Sequence, residues 1–182
     1  CASGTDALIL VDVVPQCAPE GVARIKAFMQ HKPDGFTSLH EVAQAIAQYR
    51  TQGAAVGSTK GLAKNLRMTA DGQYHWHWDP RLLSSPPDLV QRYKRLSSCA
   101  GHLSVPVLLV RGARSDVVTD EGVKDFLVHC PHAEVVNVGD ASHMVAGDQN
   151  DAFGTVASTF LRRHLELMYR VCEGVIAPAC FN

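Results

Sequence analysis

The sequence lacks the patterns that mark several large classes of protein. Its six cysteines include no C-x-x-C pair and no zinc-type spacing, and a chain that is 46% hydrophobic does not need a disulfide framework to form a core. Its formal net charge is −1, and no basic block predicts a nucleic-acid partner or an anionic membrane. The longest apolar run, residues 7–15, is interrupted by Asp12 and is too short to cross a bilayer.

The first residues, CASGTD, do not have the pattern of a secretory signal. Together with the scattered cysteines, this predicts a cytoplasmic protein whose thiols are mostly free. The absence of an initiating methionine indicates a fragment or a trimmed chain.

Three apolar segments have the pattern of strands that are buried on both faces of a parallel sheet. The segments are DALILVDVVP, VPVLLVRG and AEVVNVG. A helix capped by Thr119 is predicted between the second and third strands, and another helix is predicted to begin at Asn150 or Asp151. Residues 105–168 are therefore expected to form strand, helix, strand, helix, an order typical of parallel strands with right-handed crossovers.

A long insertion, residues 16–104, separates the first strand from the second. It contains two amphipathic segments, and the second opens with Ser38 and Glu41 at the spacing of a capping box. The stretch LRMTADGQYHWHWDP predicts a hairpin that turns at Asp71 and Gly72. A proline-rich segment then leads into one more short helix.

These patterns predict an α/β protein with a mainly helical lid, or cap domain. The expected core is made of residues 5–15 and 105–168, and the expected lid is made of residues 16–104. The tail, residues 169–182, has no clear pattern and is assigned no role.

Asp116 and His143 are the first candidates for a catalytic pair. Each lies four residues after a glycine that closes a predicted parallel strand, Gly112 and Gly139 respectively. Ligands bind outside the carboxyl ends of strands in open α/β sheets. An acid at that edge could orient a histidine that acts as a general base. The alternative is that both are ordinary turn and cap residues.

The pattern resembles the carboxyl-terminal half of the α/β-hydrolase superfamily. The resemblance covers roughly residues 5–168 and is carried by ALILVDVVP, VPVLLVRGARSDVVTDEGVKDFL and AEVVNVGDASHMVAGDQNDAF. It implies that Asp116 is the acid and His143 the histidine of a catalytic triad. Some branches of the family take the acid from the loop after the first of these strands, but Asp12 is predicted to lie within that strand, so Asp116 is preferred.

The resemblance also suggests residues that contact the substrate. Val117 and Met144 directly follow the two candidate catalytic residues. Trp76 and Trp78 would share one face of a lid strand, where they line an apolar substrate pocket or simply pack in the core. His75 and His77 could supply two metal ligands, but no third follows at a suitable spacing, so we expect no metal site. The hydrolase mechanism that the resemblance implies needs no cofactor.

Family members carry the nucleophile on a strand-to-helix turn, often G-x-S-x-G. This chain has no such motif. The most similar segment, GSTKG with Thr59 at the centre, follows no predicted strand, and we interpret the similarity as coincidence. The resemblance therefore implies a fragment whose nucleophile turn precedes Cys1. Such a chain would be inactive alone and prone to self-association through an unpaired, apolar sheet edge.

The expected whole enzyme hydrolyses a small apolar substrate. A serine nucleophile implies a carboxylic ester or thioester, whereas an aspartate nucleophile implies an epoxide or haloalkane. One alternative is a catalytically inactive, truncated homologue that binds a ligand or a partner. Another is a Rossmann-like nucleotide binder, which would need a glycine-rich turn where this chain has VDVVPQCAPEG.

Overall fold

The computed structural model describes residues 5–49, 63–83 and 88–175. The chain divides into two compact units. Unit 1 comprises Cys1–Val22 and Asp88–Asn182, and unit 2 comprises Ala23–Pro87. In chain order, the elements are β1 (Leu8–Val11), α1 (Pro19–Gln30), α2 (Leu39–Tyr49), β2 (Leu66–Met68), β3 (Tyr74–Trp76), a 3-10 helix (Pro80–Leu83), α3 (Leu89–Gly101), β4 (Val107–Gly112), α4 (Asp120–His129), β5 (Glu134–Val138), α5 (Val145–Asp148) and α6 (Asn150–Val175).

Unit 1 is built on a three-stranded parallel sheet in the order β1-β4-β5. The central strand β4 is buried along nearly its whole length, which is why its first four residues are all apolar, without alternation. The helix α4 connects β4 to β5, and Thr119 caps it by accepting a hydrogen bond from the backbone N–H of Gly122. The predicted α/β fold with parallel strands is confirmed.

The main core of unit 1 lies between this sheet and the helices that follow it. Phe160 of α6 and Val145 of α5 pack against β4 and β5, and both are almost fully buried. The helix α6 extends to Val175 and so continues into the segment that the sequence left without a predicted element.

The strand β1 lies at one edge of the described sheet, and its four residues are only half-buried. It ends at Val11, earlier than the sequence predicted, because the backbone of Asp12 turns into the left-handed region at φ 48°. Asp12 therefore follows the strand instead of lying within it. Self-association through the β1 edge stays a prediction.

Unit 2 has a small core of its own, formed mainly by Phe36, Val42 and Trp76. The antiparallel pair β2–β3 confirms the predicted hairpin, and Gly72 supplies the positive φ that its turn requires. At the start of α2, the backbone N–H of Glu41 donates to Oγ of Ser38, as the capping-box spacing predicts.

The two units divide the chain differently from the predicted core and lid. The helix α3 was assigned to the insertion, but it belongs to unit 1, where it packs against α4. The GSTKG segment lies outside the described residues. None of the helices that the structure describes is long and apolar enough to cross a membrane.

Candidate active site

Asp12 is a fully buried carboxylate at the carboxyl end of β1. Aspartate is one of the few residues that adopt the left-handed conformation readily, and here that turn follows the last residue of the strand. Its Oδ1 accepts a hydrogen bond from the backbone N–H of Gly112 at 3.0 Å, and its Oδ2 accepts one from Oγ of Ser115 at 2.5 Å. These donors are what a buried negative charge requires, because it has lost its contacts with water.

His143 lies beside this carboxylate, in the loop after β5. Its Nδ1 is 2.8 Å from Oδ2 of Asp12, and 28% of its side chain is exposed. A carboxylate can only accept a hydrogen bond, so a neutral His143 carries its proton on Nδ1 in this contact. Its Nε2 is then the nitrogen that is able to accept a proton.

The loop that carries His143 is fixed on both sides. The backbone N–H and the hydroxyl of Ser142 both donate to Oδ2 of Asp148, at 2.9 and 2.5 Å, which ties the loop to α5. On the other side, the backbone N–H of Arg114 donates to the carbonyl of Ala141. The loops after β4 and β5 are therefore hydrogen-bonded to each other.

Gly112 allows these two loops to approach so closely. A Cβ atom at this position would lie 2.1 Å from the carbonyl oxygen of Ser142 and 2.7 Å from that of Ala141. Residues from the carboxyl ends of three adjacent strands therefore meet at one point, as the position of ligand sites in α/β sheets predicts.

The structure places Asp12 at Nδ1 of His143, the position that the sequence analysis expected Asp116 to occupy, and a catalytic role for Asp116 stays a prediction. The reason lies in the turn after β4, where the backbone N–H of Ser115 donates to the carbonyl of Gly112. This turn directs Ser115 towards Asp12. The backbone of Asp116 lies instead against α1, with its carbonyl 2.2 Å from where a Cβ of Gly21 would be.

The four predicted substrate contacts have different environments. Met144 is 46% exposed beside His143, whereas Val117 is 3% exposed and packs in the core. In unit 2, Trp76 is mostly buried against Phe36, and Trp78 stacks on Trp76 with ring centroids 4.7 Å apart. A substrate contact stays a prediction for all four.

The arrangement places an imidazole beside a carboxylate, a combination that can supply a base and an acid that orients it. Within the described residues, the structure records no hydrogen bond to Nε2 of His143, and no group of three or more side chains is placed to hold a metal ion. Cys17, Cys99 and Cys130 are free thiols. Burial raises the pKa of Cys130, so this thiol is a weak nucleophile.

Comparisons with known proteins identify the fold. The chain superposes on E-2-(acetamidomethylene)succinate hydrolase with a TM-score of 0.71 at 17% identity, covering 86% of this chain and 57% of that one. It superposes on an esterase from M. tuberculosis with a TM-score of 0.66 at 23% identity, covering 86% and 54%. An α/β hydrolase from Novosphingobium aromaticivorans gives 0.62 at 18% identity, covering 86% and 57%. The chain has the α/β-hydrolase fold.

A curated sequence relative is also described as a hydrolase. The 3-hydroxybutyrate-oligomer hydrolase of Cupriavidus necator is 29% identical over 150 residues, which cover 75% of this chain and 50% of the relative. No family model matches the chain. The chain spans about half the length of the proteins that it matches.

Sequence reasoning considered Asp12 but placed it inside the strand. The signal for a different placement was present, because Asp12 is a charged residue that interrupts an apolar run shortly before Pro15. A buried strand in this fold does not tolerate an unpaired charge. The role of Ser115 was missed, and nothing in the local pattern distinguished it from other turn serines.

Proposed function

We propose that the protein containing this chain is a hydrolase in which His143 acts as the general base and Asp12 orients it. The observation that carries the proposal is the 2.8 Å contact between Nδ1 of His143 and the buried carboxylate of Asp12. Acid–base catalysis of acyl transfer needs a buried acid and a partly exposed imidazole whose Nε2 can reach the reacting group, and no described residue hydrogen-bonds to this Nε2.

In the proposed reaction, Nε2 of His143 takes a proton from the attacking nucleophile. The imidazolium that forms is stabilised by the carboxylate of Asp12, which also fixes the ring orientation through Nδ1. His143 then gives the proton to the leaving group, and the cycle repeats with water as the attacking group. If the nucleophile is an aspartate, His143 deprotonates the water that hydrolyses the covalent intermediate.

The proposed substrate is a small, fairly apolar carboxylic ester or thioester. An ester is favoured because one structural neighbour is described as an esterase. The exposed Met144, adjacent to His143, is the strongest of the predicted substrate contacts. Val117 would act through packing, since its side chain is buried.

We further propose that the nucleophile and its oxyanion donors come from a part of the protein outside this chain. Coverage of about half of each structural neighbour supports this, as does the half-buried state of the wholly apolar strand β1. The 182-residue chain is then inactive alone. The second candidate, a truncated homologue that binds a ligand without catalysis, is favoured by the lack of a G-x-S-x-G motif in the chain.

The test is hydrolysis of p-nitrophenyl butyrate by the full-length protein. We expect His143→Gln to lower kcat by about 10²- to 10⁴-fold, the usual contribution of a general base. His40→Gln, which changes an exposed histidine of α2, is the matched control and should keep the wild-type rate. Equal, measurable rates for wild type and His143→Gln would overturn the role of His143, and no hydrolysis by either protein would support the non-catalytic alternative.

A further inference from the structure

Unit 2 contains a cavity of about 410 Å³ whose lining includes neither Asp12 nor His143. Its lining combines two tryptophan rings, Trp76 and Trp78, with the basic residues Arg67, His75 and Lys32. None of the residues that line it is acidic. The cavity is therefore a concave site with an excess of hydrogen-bond donors.

The basic side of the cavity is set by the β2–β3 hairpin. Arg67 and His75 are direct partners in the antiparallel register, so their Cβ atoms lie about 4.5–5.5 Å apart on one face of the pair. Lys32 is already engaged, because its Nζ lies 2.5 Å from Oε1 of Glu41. No ion pair of Arg67 is recorded within the described part of the chain.

Two carboxylates interact electrostatically with this pair, but both are held by hydrogen bonds elsewhere. Asp71, which interacts with His75, accepts from the hydroxyl of Thr69 and the backbone N–H of Gln73. Asp79 interacts electrostatically with Arg67, but its carboxylate is held by both the backbone and the guanidinium of Arg81. Arg67 and His75 would repel each other when both are charged, and a bound anion would relieve that repulsion.

The aromatic side of the cavity is flat. The Trp76 and Trp78 rings stack at an interplanar angle of 17°, and Trp76 is braced from another direction by Phe36. The Nε1 atom of Trp76 is buried and has no acceptor among the described residues. An indole N–H in that state favours a ligand that brings an oxygen atom, directly or through water.

We propose that this cavity binds a small carboxylate with a flat, apolar body. The carboxylate pairs with the guanidinium of Arg67, whose fork of donors matches two oxygens, and His75 adds a second donor. The flat body lies against the tryptophan stack. A monoanion is favoured over a phosphate dianion because the last residues of α1, Met29 and Gln30, also line the cavity, and a helix C-terminus carries partial negative charge.

The inference does not depend on the proposed hydrolysis, because every residue that carries it lies in unit 2 and no reaction is involved. Ligand binding in this cavity can be followed directly by tryptophan fluorescence. Trp76 and Trp78 are its only two tryptophans, so its intrinsic tryptophan fluorescence reports on this cavity alone.

The experiment titrates the 182-residue chain with benzoate, with its neutral analogue benzamide, and with inorganic phosphate, while tryptophan emission is recorded. We expect saturable binding of benzoate about tenfold tighter than that of benzamide, the usual effect of a charge-assisted hydrogen bond. Phosphate should bind more weakly than benzoate. Added salt should weaken benzoate binding, since the pair with Arg67 is partly exposed.

Two arginine variants make the test specific. Arg67→Gln should abolish the preference for benzoate over benzamide, and Arg67→Lys should keep part of it. Arg92→Gln, an exposed change on α3 in the other unit, should leave it intact. Circular dichroism verifies that each variant is folded. Equal affinity for benzoate and benzamide, tighter binding of phosphate, or no saturable change with any probe would overturn the proposal.

Discussion

Oδ2 of Asp12 lies 2.8 Å from Nδ1 of His143, although 131 positions of the sequence separate the two residues. Asp12 is completely buried, whereas 28% of the His143 side chain is exposed. This difference in exposure leaves Nδ1 of the imidazole fixed inside the protein and Nε2 available to a reacting group. The pair therefore has the geometry that the proposed general base and its orienting acid require, and each partner belongs to the end of a different strand.

The first prediction distinguishes the two carboxylates that the sequence offered for this role. Asp12→Asn should lower kcat of the full-length protein by roughly 10⁴-fold, as expected when an amide replaces the acid and reverses the hydrogen bond to the imidazole. Asp116→Asn should change kcat less than about tenfold, because Asp12 already occupies Nδ1. Steady-state kinetics with p-nitrophenyl butyrate measures both.

The contrast between the two variants carries the result, since each removes one buried or half-buried charge. A large loss in Asp116→Asn together with near-normal turnover in Asp12→Asn would restore the assignment made from the sequence. Thermal unfolding of both variants separates a loss of catalysis from a loss of folded protein.

The second prediction concerns Ser115, which holds Asp12 in place. Its hydroxyl donates to Oδ2 of Asp12 while its oxygen accepts from the backbone N–H groups of Val117 and Val118, at 3.2 and 3.1 Å. Accepting these bonds strengthens the one that it donates. Ser115→Ala should therefore lower kcat by about tenfold, equivalent to one hydrogen bond to a charged group, while KM changes little.

An NMR measurement distinguishes a role of Ser115 in positioning Asp12 from a general loss of stability. The proton on Nδ1 of His143 should give a low-field NMR resonance that shifts in Ser115→Ala and returns in Ser115→Thr, which keeps the hydroxyl. Ser158→Ala is the matched control, because the hydroxyl of Ser158 donates to the carbonyl of Thr155 within α6. An unchanged resonance in Ser115→Ala would remove Ser115 from the site.

Sequence periodicity predicted the features that depend on local and repeating physics. The apolar strands, the parallel order of the sheet, the Thr119 cap and the hairpin at Gly72 all follow from burial and turn chemistry within short windows. His143 was located by the same logic, because the end of a strand can be identified from the glycine that follows it.

The partner of His143 depended on a single backbone angle. An apolar run with one charged residue is compatible with a strand that continues through Asp12 or with one that ends before it, and the φ of 48° at Asp12 decides between them. The turn from Gly112 to Ser115 similarly decides which of two adjacent residues, Ser115 or Asp116, faces Asp12. Periodicity does not determine either angle, since both are fixed by long-range contacts.

The third prediction tests the contact between the two loops. Gly112→Ala would place a Cβ 2.1 Å from the carbonyl oxygen of Ser142. The backbone N–H groups of Gly112 and Ser142 are both hydrogen-bonded, to Asp12 and Asp148 respectively, so neither backbone shifts easily. We expect a loss of about 1–3 kcal/mol in the free energy of unfolding, typical of overpacking. We also expect reduced turnover, because a shift of the Ser142 carbonyl would displace the adjacent His143. Urea denaturation measures the first effect.

The matched control is Gly154→Ala in α6, where an added Cβ meets nothing within 4 Å. This change should raise the free energy of unfolding by up to about 1 kcal/mol, because alanine is the better helix former. Opposite signs for the two glycines are the expected result. A neutral Gly112→Ala would mean that the loops after β4 and β5 separate easily.

The last prediction concerns how the stability of unit 2 depends on pH through Glu41. Glu41 accepts hydrogen bonds from the backbone and side chain of Thr37 and lies 2.5 Å from Nζ of Lys32. The hydrogen-bonded ammonium of Lys32 and the donors of Thr37 lower the pKa of Glu41 from 4.5 to about 2. A carboxyl whose pKa is lower in the folded state stabilises that state above its unfolded pKa, and this stabilisation is lost as the proton binds.

Glu41→Gln should therefore melt at a lower temperature than the wild type at pH 7, and the difference should shrink as the pH falls from about 4.5 to about 2. Thermal melts followed by tryptophan fluorescence report on unit 2, which contains both tryptophans. Asp34→Asn, an exposed change in the same unit, is the control and should show no such dependence. A difference for Glu41→Gln that is independent of pH would mean that Glu41 acts through packing or neutral hydrogen bonding, because only the ionised carboxylate gains from Lys32.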